Sequence, residues 1–244
     1  MPKFVNSRRK LTAGTFQTLL GKLLWSVLIC RPVLSVLDAS FVFAQKLEDK
    51  GPLRLWKSVR DELRMIWDLL PMLERPLYRI IDGAIATDAT GVGRDGRAGI
   101  GATYVHDFPL VQFTAEGWSD SFKKRHEDVE WRWAVATSYK STSPVYLQEM
   151  IGFLIGLRVA VRHGLAGSEG ELLMFNDNQA VVGAVTKGRS SKKGLNCLLR
   201  RYCAFVLLNG WFLPWITYIP TKENPADAPS RVFRRLERVY THYL

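Results

Sequence analysis

Cysteine is scarce, with three in 244 residues. Cys30, Cys197 and Cys203 are too few and too irregularly spaced for a disulfide framework, and none has a partner at zinc-ligand spacing. They read as buried or incidental thiols of a reducing compartment, so an intracellular location, nucleus or cytoplasm, is expected. Long apolar runs are also missing. The most apolar region, 18–37, is interrupted by Lys22 and Arg31 and contains Pro32. It falls short of the roughly 20 apolar residues that a membrane span requires, so a pair of helices and no membrane are expected. No signal peptide is expected, because Ser7-Arg8-Arg9-Lys10 leads into a long amphipathic pattern and not a short apolar stretch with a cleavage site. Internal repeats and low-complexity segments are absent. Acidic residues are in deficit, 23 against 34 Lys plus Arg, for a formal charge of +11. That surplus suits a polyanionic partner, nucleic acid or an anionic surface, without choosing between them.

What is present is ordinary for a globular chain: 47% apolar and 23% charged residues, which excludes wholesale disorder. The length allows one large domain or a medium domain with an appendage. The pattern changes near residue 78. Before it, Phe16, Leu19, Leu20, Leu23, Leu24, Val27 and Leu28 recur at three- and four-residue steps and predict a helix. Arg31-Pro32 breaks it, a second helix is predicted over 33–47, and a third over 53–70, stopped by Pro71. From residue 78 strands are predicted at 78–87, 98–105 and 110–115, with short turns that indicate an antiparallel meander. The stretch 117–143 has no clear period. A strong helix follows at 145–163, then a strand at 171–175, helices at 179–186 and 195–208, a strand at 215–219, and a helical tail over 226–240. The expected organisation is a helical region, 1–77, followed by an α/β domain, 78–244, with a mixed sheet flanked by helices.

Four acids stand out by position. Asp88 closes the first strand of this domain, and Asp177 closes the fourth. Glu149 sits inside the long helix, on a face with Val145, Tyr146, Gly152 and Phe153, so its carboxylate is expected to point toward protein. Asp227 follows the last strand. Singly, each is an ordinary residue: a turn former, a helix cap or a solvated charge. Together, carboxylates at strand ends and one from a packed helix can converge, and such a cluster is repulsive until a cation such as Mg²⁺ or Mn²⁺ occupies it.

The motifs around these acids resemble a known family. Thr87-Asp88-Ala89-Thr90, Glu149, Asp177-Asn178 and Asn224-x-Ala226-Asp227-x-x-Ser230-Arg231 resemble the ribonuclease H domain of retrotransposon reverse transcriptases, of the gypsy-like or tyrosine-recombinase type. The last motif is the most specific. Leu19-Leu20-Gly21-Lys22-Leu23 is similar, more weakly, to the thumb and connection region that precedes such domains. The interval from Asp88 to Glu149 exceeds a minimal meander, the surplus falling in 117–143. No histidine lies between His163 and Asp227, where many cellular members of the family carry one, and no polymerase-type Tyr-x-Asp-Asp occurs.

The resemblance implies a ribonuclease-H-like five-stranded mixed sheet and an endonuclease that cleaves the RNA strand of RNA–DNA hybrids. It implies two Mg²⁺ ions, replaceable by Mn²⁺, held by Asp88, Glu149, Asp177 and Asp227 as catalytic and metal-binding residues. Ala89, Thr90, Gly91 and Asn178, beside the acids, are candidate readers of the RNA 2′-hydroxyl. Arg189, Lys192 and Lys193, in a loop between two helices, are candidate phosphate contacts, with a solvated charged loop as the equal alternative. Lys123-Lys124-Arg125 with Trp118, Trp131 and Trp133 mixes basic and aromatic residues, although tryptophans covering a core explain the latter better. A reverse-transcriptase polymerase region or a larger assembly is the expected partner. Two other readings are open: a DNA-acting nuclease of the same fold, and a non-catalytic domesticated scaffold or nucleic-acid-binding domain.

Overall fold

Thr12 starts the first helix, its hydroxyl accepting a hydrogen bond from the Thr15 N–H at 3.4 Å, as N-terminal caps do. The computed structural model describes residues 10–72, 80–93, 96–106, 108, 129–165, 170–209 and 214–232. In chain order the elements are β1 (Lys10–Leu11), α1 (Ala13–Val27), α2 (Asp38–Lys50), β2 (Leu53–Arg54), α3 (Lys57–Leu69), β3 (Ile80–Ala89), β4 (Arg97–His106), β5 (Arg132–Lys140), α4 (Val145–Arg162), β6 (Gly170–Asn176), α5 (Gln179–Lys187), α6 (Lys193–Leu208), β7 (Trp215–Tyr218) and α7 (Asp227–Arg231). Two units form, 1–75 with 184–211 and 76–183 with 212–244. Among the described residues no helix is long and apolar enough to cross a membrane.

The first unit is helical. Where a helix was expected from residue 33, a 3₁₀ stretch runs through Leu28–Leu37, broken at Cys30 and containing Pro32, and α2 begins only at Asp38. Pro32 lacks an N–H and its ring crowds the preceding turn, so a regular α-helix cannot cross it. The third helix starts at Lys57 and not at 53, because Leu53 and Arg54 pair with β1. Glu62 on α3 accepts from the backbone N–H groups of Ala39 and Ser40 at 2.7 and 2.8 Å, capping α2 from outside. Helix α6 joins this unit through Ser35, whose carbonyl accepts from Asn196 Nδ2 and Arg200 Nε, both at 3.0 Å. Phe16 and Phe43 are buried and meet edge to face, and the more exposed Trp56 meets Phe43 in the same way.

The second unit is built on a five-stranded sheet of order β5-β4-β3-β6-β7. β3, β4 and β5 form an antiparallel meander, and β6 and β7 run parallel to β3 and to each other, which is the ribonuclease-H-like mixed sheet. The third strand of the meander is β5, within the stretch that showed no period in the sequence. It is an edge strand with a register shift between Ala102 and Thr103 of its partner, and only Val135 and Ala136 are buried, so its alternation is weak. The strand expected at 110–115 lies outside the described residues. Of the expected tail helix, α7 covers Asp227–Arg231 and Val232 is extended, and 233–240 lie outside the described residues.

Both helices that carry acids lie close to the sheet, on opposite faces. A Cβ on Gly156 of α4 would stand 2.5 Å from the Thr87 methyl and 2.9 Å from the Met174 methyl. A Cβ on Gly101 of β4 would stand 2.4 Å from the Ala226 carbonyl oxygen and 2.5 Å from the Ser230 nitrogen. Because side chains alternate along a strand, Ile100 faces α4 while Gly99 and Gly101 face α7. Farther along the α7 face, Ala84, Ala86, Phe108, Leu173, Phe175, Ile219 and Ala226 form a buried apolar cluster.

Candidate active site

Strand pairing sets the positions of two acids. Thr87 of β3 is in register with Asn176 of β6, so Asp88 and Asp177, the next residue in each parallel strand direction, leave the same end of the sheet side by side. Helix α4 then brings Glu149 to that end, two turns before Gly156, where the helix packs closely on the sheet. One carboxylate oxygen each from Asp88, Glu149 and Asp177 lies within 4.8 Å of the others. Asp88 and Glu149 are each 4% exposed, while Asp177 is half-buried.

Gathering these groups has an electrostatic cost. Burial, then the charges of Asp88 and Asp177, push the Glu149 carboxyl up to about 9, against hydrogen bonds from the Asn176 side chain and the Ala89 backbone N–H. Burial also raises Asp88 to about 6. A hydrogen bond from Ser230 opposes that rise, Asp177 and Asp227 reinforce it, and Arg231 opposes it more weakly. The donors are all hard carboxylate oxygens, with no thiolate or imidazole among them. Such a set fits Mg²⁺ or Mn²⁺, whose charge removes the repulsion that otherwise holds protons on the site.

Asp227 stands apart from the tight cluster. It opens α7, and the Arg231 guanidinium grips it with Nε at 2.9 Å from both carboxylate oxygens and a terminal nitrogen at 2.7 Å from one. Its charge still bears on Asp88. The Ser230 hydroxyl, which touches Asp88, also reaches the Asp227 carbonyl at 2.8 Å. The extended motif therefore works as a turn: Asn224 caps it, Asp227 and Arg231 pair across it, and Ser230 joins it to Asp88.

The residues expected to contact substrate have different surroundings. Ala89 is 5% exposed, and its N–H serves Glu149. Thr90 is held in the sheet end, its N–H donating to the Gly99 carbonyl at 3.0 Å and its hydroxyl accepting from the Gly99 N–H at 2.7 Å. Gly91 is exposed. The Asn178 side-chain carbonyl accepts from the N–H groups of Ala180 and Val181 at 3.1 and 3.3 Å, so that oxygen caps α5. Arg189, Lys192 and Lys193 fall in the first unit. There the Arg189 guanidinium lies 4.4 Å from the Phe41 ring centre, and Lys192 and Lys193 are exposed at the start of α6. Trp131 covers the apolar cluster, 6.0 Å from Phe175, while Trp133 is half-exposed. Trp118 and Lys123-Lys124-Arg125 lie outside the described residues. The sequence alone assigns Asn176 no role, although its place beside Asp177 is the available signal, and it marks Asn224, Ser230 and Arg231 only as parts of a motif.

No family model matches the chain, and no curated protein matches it. Solved structures do. The metagenomic LC11 ribonuclease H1, isolated from compost, is 15% identical over 62% of this chain and 93% of its own, with a TM-score of 0.44. The same enzyme in complex with an RNA/DNA hybrid is 17% identical over 60% and 91%, at 0.42. Ribonuclease H1 from the halophilic archaeon Halobacterium salinarum NRC-1 is 17% identical over 61% and 93%, at 0.41. These are likenesses of fold.

Proposed function

We propose that the chain is a divalent-metal-dependent endonuclease of the ribonuclease H kind, cleaving the RNA strand of RNA–DNA hybrids, and that it is part of or derived from a retroelement reverse transcriptase. One observation carries the reading: Asp88, Glu149 and Asp177, from three separate elements, meet within 4.8 Å at one sheet end. A fold has no structural reason to bury mutually repelling carboxylates, since each raises the cost of ionising the next.

Asp88, Glu149 and Asp177 would hold the metal, with Asp227 contributing from α7. Bound there, Mg²⁺ or Mn²⁺ supplies the positive charge that acidifies an attacking water and neutralises the phosphate and its leaving oxygen. The chain's own residues do the rest. Glu149 releases its proton as the site loads, so loading strengthens with pH. Arg231 keeps Asp227 aimed along α7 and lowers the cost of ionising Asp88. Exposed Gly91, at the tip beyond β3, offers backbone to an RNA 2′-hydroxyl; Ala89, Thr90 and Asn178 shape that tip. Lys192, Lys193 and Arg189 are assigned to phosphate contacts.

The test is incubation of a labelled RNA–DNA hybrid with the protein and Mg²⁺, beside Asp177→Asn and an all-DNA duplex. The expected result is RNA-strand cleavage by wild type, abolished in the variant. Cleavage that survives the substitution removes the metal-site assignment. Cleavage of the DNA duplex in preference to the hybrid selects the DNA-acting reading, and tight hybrid binding without cleavage selects the scaffold.

A further inference from the structure

Asn176 is fully buried at the end of β6, and every polar atom of its side chain is engaged. Its Oδ1 accepts from the Asn178 N–H at 2.9 Å. That bond fixes which way the amide faces, because only the oxygen can accept there, and the NH₂ group must then point at Glu149 and Thr87. Nδ2 lies 3.2 Å from Glu149 Oε2, 3.2 Å from the Thr87 hydroxyl and 3.4 Å from the Thr87 carbonyl. Two protons serve three acceptors. One goes to Glu149, and the two Thr87 oxygens share the other.

The Thr87 carbonyl, one bond from Asp88, receives a second amide. Asn224 Nδ2 donates to it at 3.1 Å, while Asn224 Oδ1 accepts from the Ala226 N–H at 3.0 Å, just ahead of Asp227. Thr87 and Asn224 are buried too. All four acid-bearing segments thus share one buried amide network. Asn176 binds its own turn at Asp177, reaches Glu149 on α4 and holds the strand before Asp88; Asn224 holds that strand to the segment that starts α7.

We infer that Asn176 is a positioning residue for the metal site: its NH₂ group aims the Glu149 carboxylate at Asp88 and Asp177, and with Asn224 it clamps the Thr87 carbonyl so that the acids stay in register. Glu149 enters from a helix, on a flexible side chain, whereas Asp88 and Asp177 leave paired strands. It is the acid that most needs a fixed donor. Supporting groups of this kind orient metal ligands, and their loss weakens metal binding by about 10- to 100-fold. The inference rests on the reading of the acid cluster as a metal site.

The experiment is a double-mutant cycle read by Mn²⁺ binding calorimetry on the full chain, with wild type, Asn176→Ala, Glu149→Gln and the double variant. Expected is a loss of about tenfold or more in Mn²⁺ affinity for Asn176→Ala alone, and a clearly smaller loss, that of the Thr87 clamp, when the substitution is added to Glu149→Gln. Hybrid cleavage should fall in kcat with KM unchanged. Equal losses in both backgrounds overturn the inference, since Asn176 would then act independently of Glu149. Unchanged affinity in Asn176→Ala overturns it as well. If the alanine variant does not fold, Asn176→Ser takes its place: a hydroxyl there can still serve the Thr87 carbonyl but is too short to reach Glu149. Absence of Mn²⁺ binding by the folded wild type instead overturns the metal-site reading beneath it.

Discussion

Substituting Gly156 by alanine sets two known effects against each other, and the structure says which wins. In an open helix interior, Gly→Ala removes backbone entropy from the unfolded chain and stabilises by roughly 0.5–1 kcal/mol. At Gly156 the new Cβ meets the Thr87 Cγ2 at 2.5 Å, Met174 Cε at 2.9 Å and Ile85 Cγ2 at 3.3 Å. Carbon atoms settle at about 3.5–4.0 Å, so the shortfall against Thr87 is about 1 Å. Met174 can swing its terminal methyl aside. Thr87 cannot, because it is fully buried and its hydroxyl is tied to Asn176 at 3.2 Å. Helix α4 must lift instead. Overpacking of this size costs about 1–3 kcal/mol and, at a 1 Å shortfall against a fixed group, falls in the upper part of that range, about 2–3 kcal/mol, leaving a net loss of roughly 1–2.5 kcal/mol and a fall in Tm of about 2–10 °C. Glu149 rides on the same helix face two turns away and moves with it. Hybrid cleavage should therefore fall further than stability does, by about 10- to 100-fold, since ligand placement at the 1 Å level governs rate. Thermal unfolding and Mg²⁺-dependent cleavage test this, with Gly21→Ala as the control. Gly21 lies in α1 with nothing within 4 Å of its would-be Cβ, and there alanine should stabilise. A Gly156→Ala protein that is more stable than wild type and cleaves normally refutes the argument.

Two further outcomes follow from the same geometry. In metal-free protein the Glu149 carboxyl titrates at about 9, against an ordinary 4.5 that the unfolded chain retains. The folded state therefore holds more protons between those values, so stability is full below about 4.5 and declines as pH rises toward 9, by at most about 1.4 kcal/mol per pH unit. Asp88 adds the same sense between 3.8 and about 6. Urea midpoints in EDTA should be lower at pH 8 than at pH 5, with saturating Mg²⁺ restoring the pH 8 value; a metal-free midpoint that rises with pH contradicts the burial of these acids. Gly101→Ala places a Cβ against backbone atoms of Ala226 and Ser230 at 2.4–2.5 Å, which no rotamer change can relieve. It should lower stability by about 2–3 kcal/mol and displace α7, weakening Mn²⁺ binding through Asp227 and Ser230; calorimetry and urea unfolding showing neither change would remove the close approach of α7 as the reason for that glycine.

Much of the sheet was legible because its central strands obey simple patterns. β6 is a short apolar run closed by Asn176-Asp177, and α4 is long, periodic and ended by Gly164, which has φ +66°. Edge elements were less readable. Among the described residues β5 pairs on one side only, and it carries a bulged register, so burial falls on consecutive residues Val135 and Ala136 instead of alternating ones. Of the tail, which reads as helix on local propensity, α7 covers Asp227–Arg231 and Val232 is extended, while 233–240 lie outside the described residues. Of the site, the positions of the acids were readable from element ends. What held them was not, because Asn176, Asn224 and Thr87 act through contacts 89 and 137 residues apart in the chain, beyond the reach of any local pattern.

The acids converge because side chains are missing around them. At the site end of the sheet, β4 presents Gly99 and Gly101 to α7, and α4 presents Gly152 and Gly156 to β3 and β4. On Gly99 a Cβ would stand 1.9 Å from the Ser230 carbonyl oxygen, so α7 lies on the bare backbone of the sheet. Farther along that face, Phe108, Trp131 and Phe175 fill the space with rings. The layer is therefore thin where the carboxylates are and thick where they are not. Thinness draws Asp227 and Glu149, on opposite faces, toward Asp88 without long side chains having to reach. It also removes the room in which repelling groups could separate, so charge must be neutralised by protons or by a cation. The raised carboxyls of Glu149 and Asp88 are the first outcome, and divalent metal is the second. On this account, enlarging Gly99, Gly101 or Gly156 should weaken metal affinity by more than its cost in stability alone explains.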